Sequence, residues 1–163
     1  MGCLTVAQGL RHICAGGERR GLFKSRLSSS ETTYLMKKIL IVEDHADMRE
    51  LLTWQIELMG FFPIPAKHGK EGLEKAIVEQ PHLILMDIMM PGMDGWEAAR
   101  ALRAHPETRD IPILAATALF RDADLKSCLD AGCNGYIVKP FTFQELQGKV
   151  REFISLDNGA LPS

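Results

Sequence analysis

Glu43, Asp44, Asp87, Thr117 and Lys139 are the side chains in this sequence whose types and positions could combine into one chemistry. Asp87 closes the apolar run Leu83-Ile84-Leu85-Met86, and Ile88-Met89-Met90-Pro91-Gly92 follows it as a turn. An acid at the rim of a dry run is a helix cap, a metal ligand or a nucleophile. Glu43 and Asp44 close a similar run, Ile39-Leu40-Ile41-Val42, while Thr117 and Lys139 close two more. If these runs share a sheet, three carboxylates meet in one crevice. They repel one another, and burial penalises their charge further, so a cation must compensate. Carboxylate and carbonyl oxygens suit a hard ion, and Mg²⁺ tolerates a site with few protein ligands. Lys139 adds a fixed positive charge and Thr117 a hydroxyl. Together these groups can stabilise the equatorial oxygens of a phosphoryl group in transit. Asp87 can then act as the nucleophile and become an aspartyl phosphate.

The elements needed to bring these residues together are legible from 37 onward. Apolar periodicity places helices at about 46–59, 69–79, 95–105, 122–131 and 143–154, between strands at about 37–43, 61–66, 83–87, 111–117 and 135–140. Asp47 with Glu50, and Thr142 with Glu145, read as capping boxes; Asp94 reads as an N-cap, and Gly60 and Gly132 as stops. Short apolar runs joined by helical crossovers imply a parallel sheet covered on both faces. Pro63 and Pro65 remove two amide donors from the same side of the second strand, which must therefore lie at an edge. The expected fold is α/β: a flavodoxin-like, doubly wound, five-stranded parallel sheet of order 2-1-3-4-5 with five helices in three layers. In that order the switch point lies between the first and third strands, where the acids stand.

The 163 residues suit one domain, and 46% apolar with 25% charged residues is ordinary for a globular protein. A net charge of −2 gives no electrostatic reason to expect direct nucleic-acid contact. No apolar run approaches the ~18–20 residues that cross a bilayer. Cys3, Cys14, Cys128 and Cys133 lack metal-ligand spacing and come without a secretory signal, so reduced thiols and a cytoplasmic location are expected. The methionines at 86, 89, 90 and 93 read as packing. The histidines at 45, 68, 82 and 105 are scattered over loops and helix ends in no ligand pattern. Residues 1–35 carry five basic side chains against two acids, with many glycines and serines and no amphipathic period. They are expected to be a disordered tail, or sequence upstream of a physiological start at Met36. Residues 156–163 are expected to fray.

Glu43-Asp44, Asp87-x-x-Met90-Pro91-x-x-Asp94-Gly95, Thr117-Ala118 and Lys139-Pro140, in this order and each at a strand terminus, resemble the receiver domain of two-component response regulators. The likeness runs from about 38 to 154. It implies that Asp87 is the phosphoacceptor. It implies that Asp44, Asp87 and the backbone carbonyl of Met89 bind Mg²⁺ directly, with Glu43 acting through water. Thr117 and Lys139 would hold the phosphoryl oxygens, Thr117 and Tyr136 would form the switch, and the Lys139–Pro140 peptide would be cis. Phosphate on Asp87 would draw Thr117 and then Tyr136 inward, remodelling the surface of the fourth helix, fifth strand and fifth helix for a partner. The phosphodonor would be a sensor histidine kinase or a histidine phosphotransfer protein, and the output a downstream protein target. With residues 36–155 as the receiver and no output domain after them, the expectation is a stand-alone signalling phosphoacceptor whose only catalysis is its own phosphorylation and dephosphorylation. Met89 and Leu119 are apolar where many relatives carry polar side chains, which is expected to slow hydrolysis of the acyl phosphate.

Rival chemistries fit less well. A phosphatase of the haloacid dehalogenase type wants a second aspartate two residues after the nucleophile, where Met89 stands. An FMN carrier wants a phosphate-cradling loop after the first strand, where His45-Ala46-Asp47 stands. A receiver-like module that never takes phosphate would be expected to have lost Asp44, Asp87 or Lys139.

Overall fold

The computed structural model describes residues 36–118 and 121–156. Five strands, β1 (Lys38–Val42), β2 (Phe62–Ala66), β3 (Leu83–Asp87), β4 (Ile113–Thr117) and β5 (Gly135–Val138), alternate with five helices. These are α1 (Ala46–Leu58), α2 (Gly69–Glu79), α3 (Gly95–Ala104), α4 (Asp122–Asp130) and α5 (Phe143–Leu156). The sheet is parallel throughout, in the order β2-β1-β3-β4-β5. The expectations for residues 1–35 and for the tail beyond 156 fall outside the described residues, as does Leu119.

The sheet has two dry faces because its strands are apolar on both sides, with polar residues only at some of their ends. Along β3 the side chains alternate: Ile84 and Met86 join Leu40 and Val42 of β1 against α2, α3 and α4, in a cluster with Ala76, Ala98, Ala99, Leu102 and Cys128. Leu83 and Leu85 join Ile39 and Ile41 on the opposite face, against Leu52 and Ile56 of α1 and Leu146, Val150 and Phe153 of α5. Each such side chain taken from water contributes about 1.5–3 kcal/mol, so the strand that ends in Asp87 is held from both sides.

β2 lies at the sheet edge, as its prolines require. The Phe62 amide donates to the Lys37 carbonyl at 2.9 Å. Amides alternate in direction along a strand, so positions 63 and 65 face outward, where no partner strand needs their donors. The helix starts are capped as expected at α3, where Asp94 Oδ1 accepts from the Glu97 amide at 2.8 Å. At α5 the reciprocal box forms: the Thr142 amide donates to Glu145 Oε2 at 2.7 Å, and the Glu145 amide donates to Thr142 Oγ1 at 3.2 Å. The start of α1 differs from the expected capping box. Its N-cap is His45, without a side-chain cap bond, and Asp47 lies inside the first turn. The Arg49 guanidinium instead donates to the carbonyls of Glu43 and Asp44, at 2.7 and 3.1 Å, which pins the β1–α1 connection from within the helix. At the far end of α1, Gly60 adopts a φ of +87° and turns the chain toward β2.

Two features generate predictions. A Cβ at Gly95 would stand 2.5 Å from the Asp87 carbonyl oxygen and 2.6 Å from Ile88 Cα, both backbone atoms that cannot swing away. Gly95→Ala is therefore expected to lower stability by about 1–3 kcal/mol, read as a fall in the urea midpoint; an unchanged midpoint would contradict this contact. Cys128 and Cys133 are both buried free thiols. Burial, with a smaller contribution from Cys128, pushes the Cys133 thiol up to about 12. Peptide mapping after iodoacetamide treatment at pH 8 should find both unmodified in the folded protein and labelled once it is unfolded.

Candidate functional site

The acids meet at the carboxyl ends of the two central strands. Val42 and Met86 are register partners in β1 and β3, so the next residue of each strand line, Glu43 and Asp87, stands side by side at the switch point. Both are buried, with 1% and 6% of their surface exposed. Two neighbouring ties shape the rim. The Ile88 amide donates to the Ala116 carbonyl at 3.2 Å, and the Lys139 amide donates to the Thr117 carbonyl at 2.7 Å. Thr117 is fully buried at the end of β4, next to Ala116, the register partner of Asp87.

Lys139 decides the electrostatics. Its ammonium donates to Glu43 Oε2 at 2.7 Å and to Asp87 Oδ2 at 2.8 Å, so one cation bridges two buried carboxylates. Burial works to lower the ammonium pKa, but the hydrogen bonds and charges of Asp87 and Glu43 outweigh it, and the net direction is up. The other oxygen of Asp87 is held as well, since Oδ1 accepts from the Met89 amide at 2.9 Å. Lys139 precedes Pro140 through a cis peptide bond.

One ammonium leaves a third acid without a lysine partner. Asp44 Oδ1 is buried and has no hydrogen-bond donor among the described residues. His45 Nδ1 approaches it to 3.3 Å without hydrogen-bond geometry, and lies 3.5 Å from Glu43 Oε1. Single ligand atoms of Glu43, Asp44 and His45 all fall within 4.8 Å of one another. A buried carboxylate oxygen lacking a donor, beside another carboxylate, fits a divalent cation such as Mg²⁺.

Sequence reasoning missed two of these residues. Arg49 anchors the Glu43 and Asp44 carbonyls; a guanidinium one turn into the helix after an acid pair is the only signal for it. His45 has no ligand pattern in the sequence, yet among the described histidines it alone lies against Glu43 and Asp44. His68 caps α2 by accepting from the Glu71 amide, and His82 accepts from the Lys38 amide. Tyr136 is half-buried against the α2–α4 face. Of the methionines, Met86 and Met90 are buried and Met89 is 54% exposed at the mouth of the crevice.

Known proteins are similar to this chain. "Probable transcriptional regulator ycf27" of Guillardia theta is 36% identical over 124 residues, covering 76% of this chain and 48% of the relative. Transcriptional regulatory protein HprR of Escherichia coli is 39% identical over 114 residues, 70% of this chain and 50% of the relative. The chain thus spans about half the length of these curated relatives. Among solved structures, the receiver domain of sensor histidine kinase PA1611 from Pseudomonas aeruginosa, with a magnesium ion coordinated in its active site cleft, superposes with a TM-score of 0.69. It is 32% identical, and the match covers 74% of this chain and 98% of that one. Residues 39–151 match the response regulator receiver domain family, and with the sheet order, the buried acids and the bridging lysine already in place, the chain belongs to that family.

Proposed function

We propose that residues 36–155 act as a phosphoacceptor in two-component signalling, with Asp87 taking a phosphoryl group from a phosphohistidine donor. The observation that carries this reading is the Lys139 ammonium bridging Glu43 and Asp87 while a buried oxygen of Asp44 is left without a donor. An Asp87 oxygen attacks phosphorus, the P–N bond breaks, and the imidazole of the donor leaves with the electron pair. Lys139 and Thr117 hold the transferred oxygens, and the Met89 amide keeps the carboxylate in one rotamer. Glu43, Asp44 and Asp87, with the Met89 carbonyl, would hold Mg²⁺, which when bound supplies positive charge to the phosphoryl oxygens. Only self-phosphorylation and self-dephosphorylation are asked of the domain, and the exposed Met89 side chain narrows the approach of water.

The acyl phosphate adds charge where Thr117 and Lys139 converge, and a two-state loop after β4 can convert that charge into a shape change. Tyr136, Ile137 and Val138 of β5 with Phe141, Glu145 and Gly148 line a groove of about 470 Å³ against α5. Its position beside the Tyr136 switch supports it as the surface offered to a downstream protein. A histidine kinase or histidine phosphotransfer protein would supply the phosphate. Among the described residues no helix is long and apolar enough to cross a membrane. Relatives about twice as long are named as transcriptional regulators, so the charge-based expectation of no nucleic-acid contact concerns the present residues alone.

Incubation with a small phosphodonor and Mg²⁺ should add one phosphoryl group to the wild-type chain and none to Asp87→Asn, as read by intact mass; equal incorporation in both would contradict the assignment. Asp44→Asn should weaken Mg²⁺ binding yet raise the metal-free melting temperature by about 2–4 °C, equivalent to about 1 kcal/mol, because like-charge crowding is relieved. A lower metal-free melting temperature in that variant would count against the crowding argument.

A further inference from the structure

The mechanism above makes no use of the His45 imidazole. The residue caps α1 through its backbone, but its side chain makes no capping bond. It is 76% exposed, so packing does not hold the ring where it is. Nδ1 nonetheless stands 3.3 Å from Asp44 Oδ1 and 3.5 Å from Glu43 Oε1. Adjacent ligand atoms around a first-row divalent ion, with bonds of about 2.0–2.2 Å, lie about 3.0–3.5 Å apart in octahedral or tetrahedral geometry. The two distances from the imidazole nitrogen already have the spacing of neighbouring ligands in a coordination shell, and one ligand atom of each of the three residues lies within 4.8 Å of the others.

Their other contacts leave that face available. Glu43 Oε2 is occupied by Lys139, which orients Oε1 toward the imidazole. Oε1 accepts only a long bond, at 3.3 Å, from the His45 amide. Asp44 Oδ1 has no donor among the described residues. Its oxygen and the ring nitrogen are thus both free to turn to an ion.

We propose that His45 lends an imidazole nitrogen to the divalent cation of this site, and that the site consequently discriminates in favour of nitrogen-accepting ions such as Co²⁺, Ni²⁺ or Zn²⁺ relative to Mg²⁺. The inference rests on the reading of Glu43 and Asp44 as a cation seat. The hard Mg²⁺ ion gains little from an imidazole, whereas affinity for nitrogen rises along the later first-row ions. The side chain at position 45 therefore widens the preference for these ions beyond what the carboxylate oxygens alone give.

Calorimetric titration of the full chain at one fixed pH with Mg²⁺ and with Co²⁺ tests this, using wild type, His45→Ala and Asp44→Asn. The nuclear magnetic resonance spectrum of the Co²⁺ form adds a second readout, because a ligating imidazole contributes hyperfine-shifted ring-proton signals. His45→Ala should weaken Co²⁺ binding by about tenfold or more and Mg²⁺ binding by less than about twofold, and should remove one set of shifted ring signals. Equal losses for both ions, or Co²⁺ binding and ring signals that survive the substitution on other histidines, overturn the role of His45 and leave the acidic seat standing. Absence of Mg²⁺ binding in wild type, or Mg²⁺ binding unaffected by Asp44→Asn, overturns the cation seat itself and this inference with it.

Discussion

Charge compensation inside a nearly dry crevice governs this molecule. Glu43 and Asp87 are carboxylates with almost no access to water, and such groups are costly to bury unless paired. One ammonium, 2.7 and 2.8 Å from their oxygens, pairs both. That pairing requires β1, β3 and β5 to end at one level, and the parallel sheet provides it by running every strand in one direction. Lys139 leaves β5 only after its own amide has been tied to the end of β4. The lysine is thus held by backbone hydrogen bonds before its side chain reaches the acids.

The same arrangement makes the site responsive. A set of acids fully neutralised by protein groups would have little affinity for anything further. Here one ammonium is shared by two acids, and the third retains a buried oxygen without a donor among the described residues, so binding of a cation relieves an existing penalty. Under the proposed function, a phosphoryl group on Asp87 would compete for the lysine that Glu43 also holds. The site is stable enough to fold and unbalanced enough to bind.

Much of this could be read from the chain. The two prolines at 63 and 65 assigned β2 to the edge, and with it the strand order, because a missing donor cannot be repaired inside a sheet. The four chemical elements each closed an apolar run, so their convergence followed from parallel strands alone. What escaped were directions. No periodicity indicates that Arg49 turns back to the carbonyls of Glu43 and Asp44, or that the start of α1 relies on it in place of a capping box. Likewise, the sequence put an ammonium near the acids without showing that it chooses Glu43 and Asp87 and leaves Asp44. Rotamers at strand ends depend on neighbours from remote parts of the chain, and a linear pattern carries no record of them.

The proline-bearing strand has a further consequence. A sheet edge with a full row of outward donors and acceptors is a template on which another copy can stack. With positions 63 and 65 unable to donate, β2 has no outward donor, and the Pro65 carbonyl already accepts from the Lys75 ammonium, so an incoming strand would find little to pair with there. Unwanted polymerisation is thereby discouraged at that border, and any lateral association by backbone pairing is directed to the opposite flank, alongside β5.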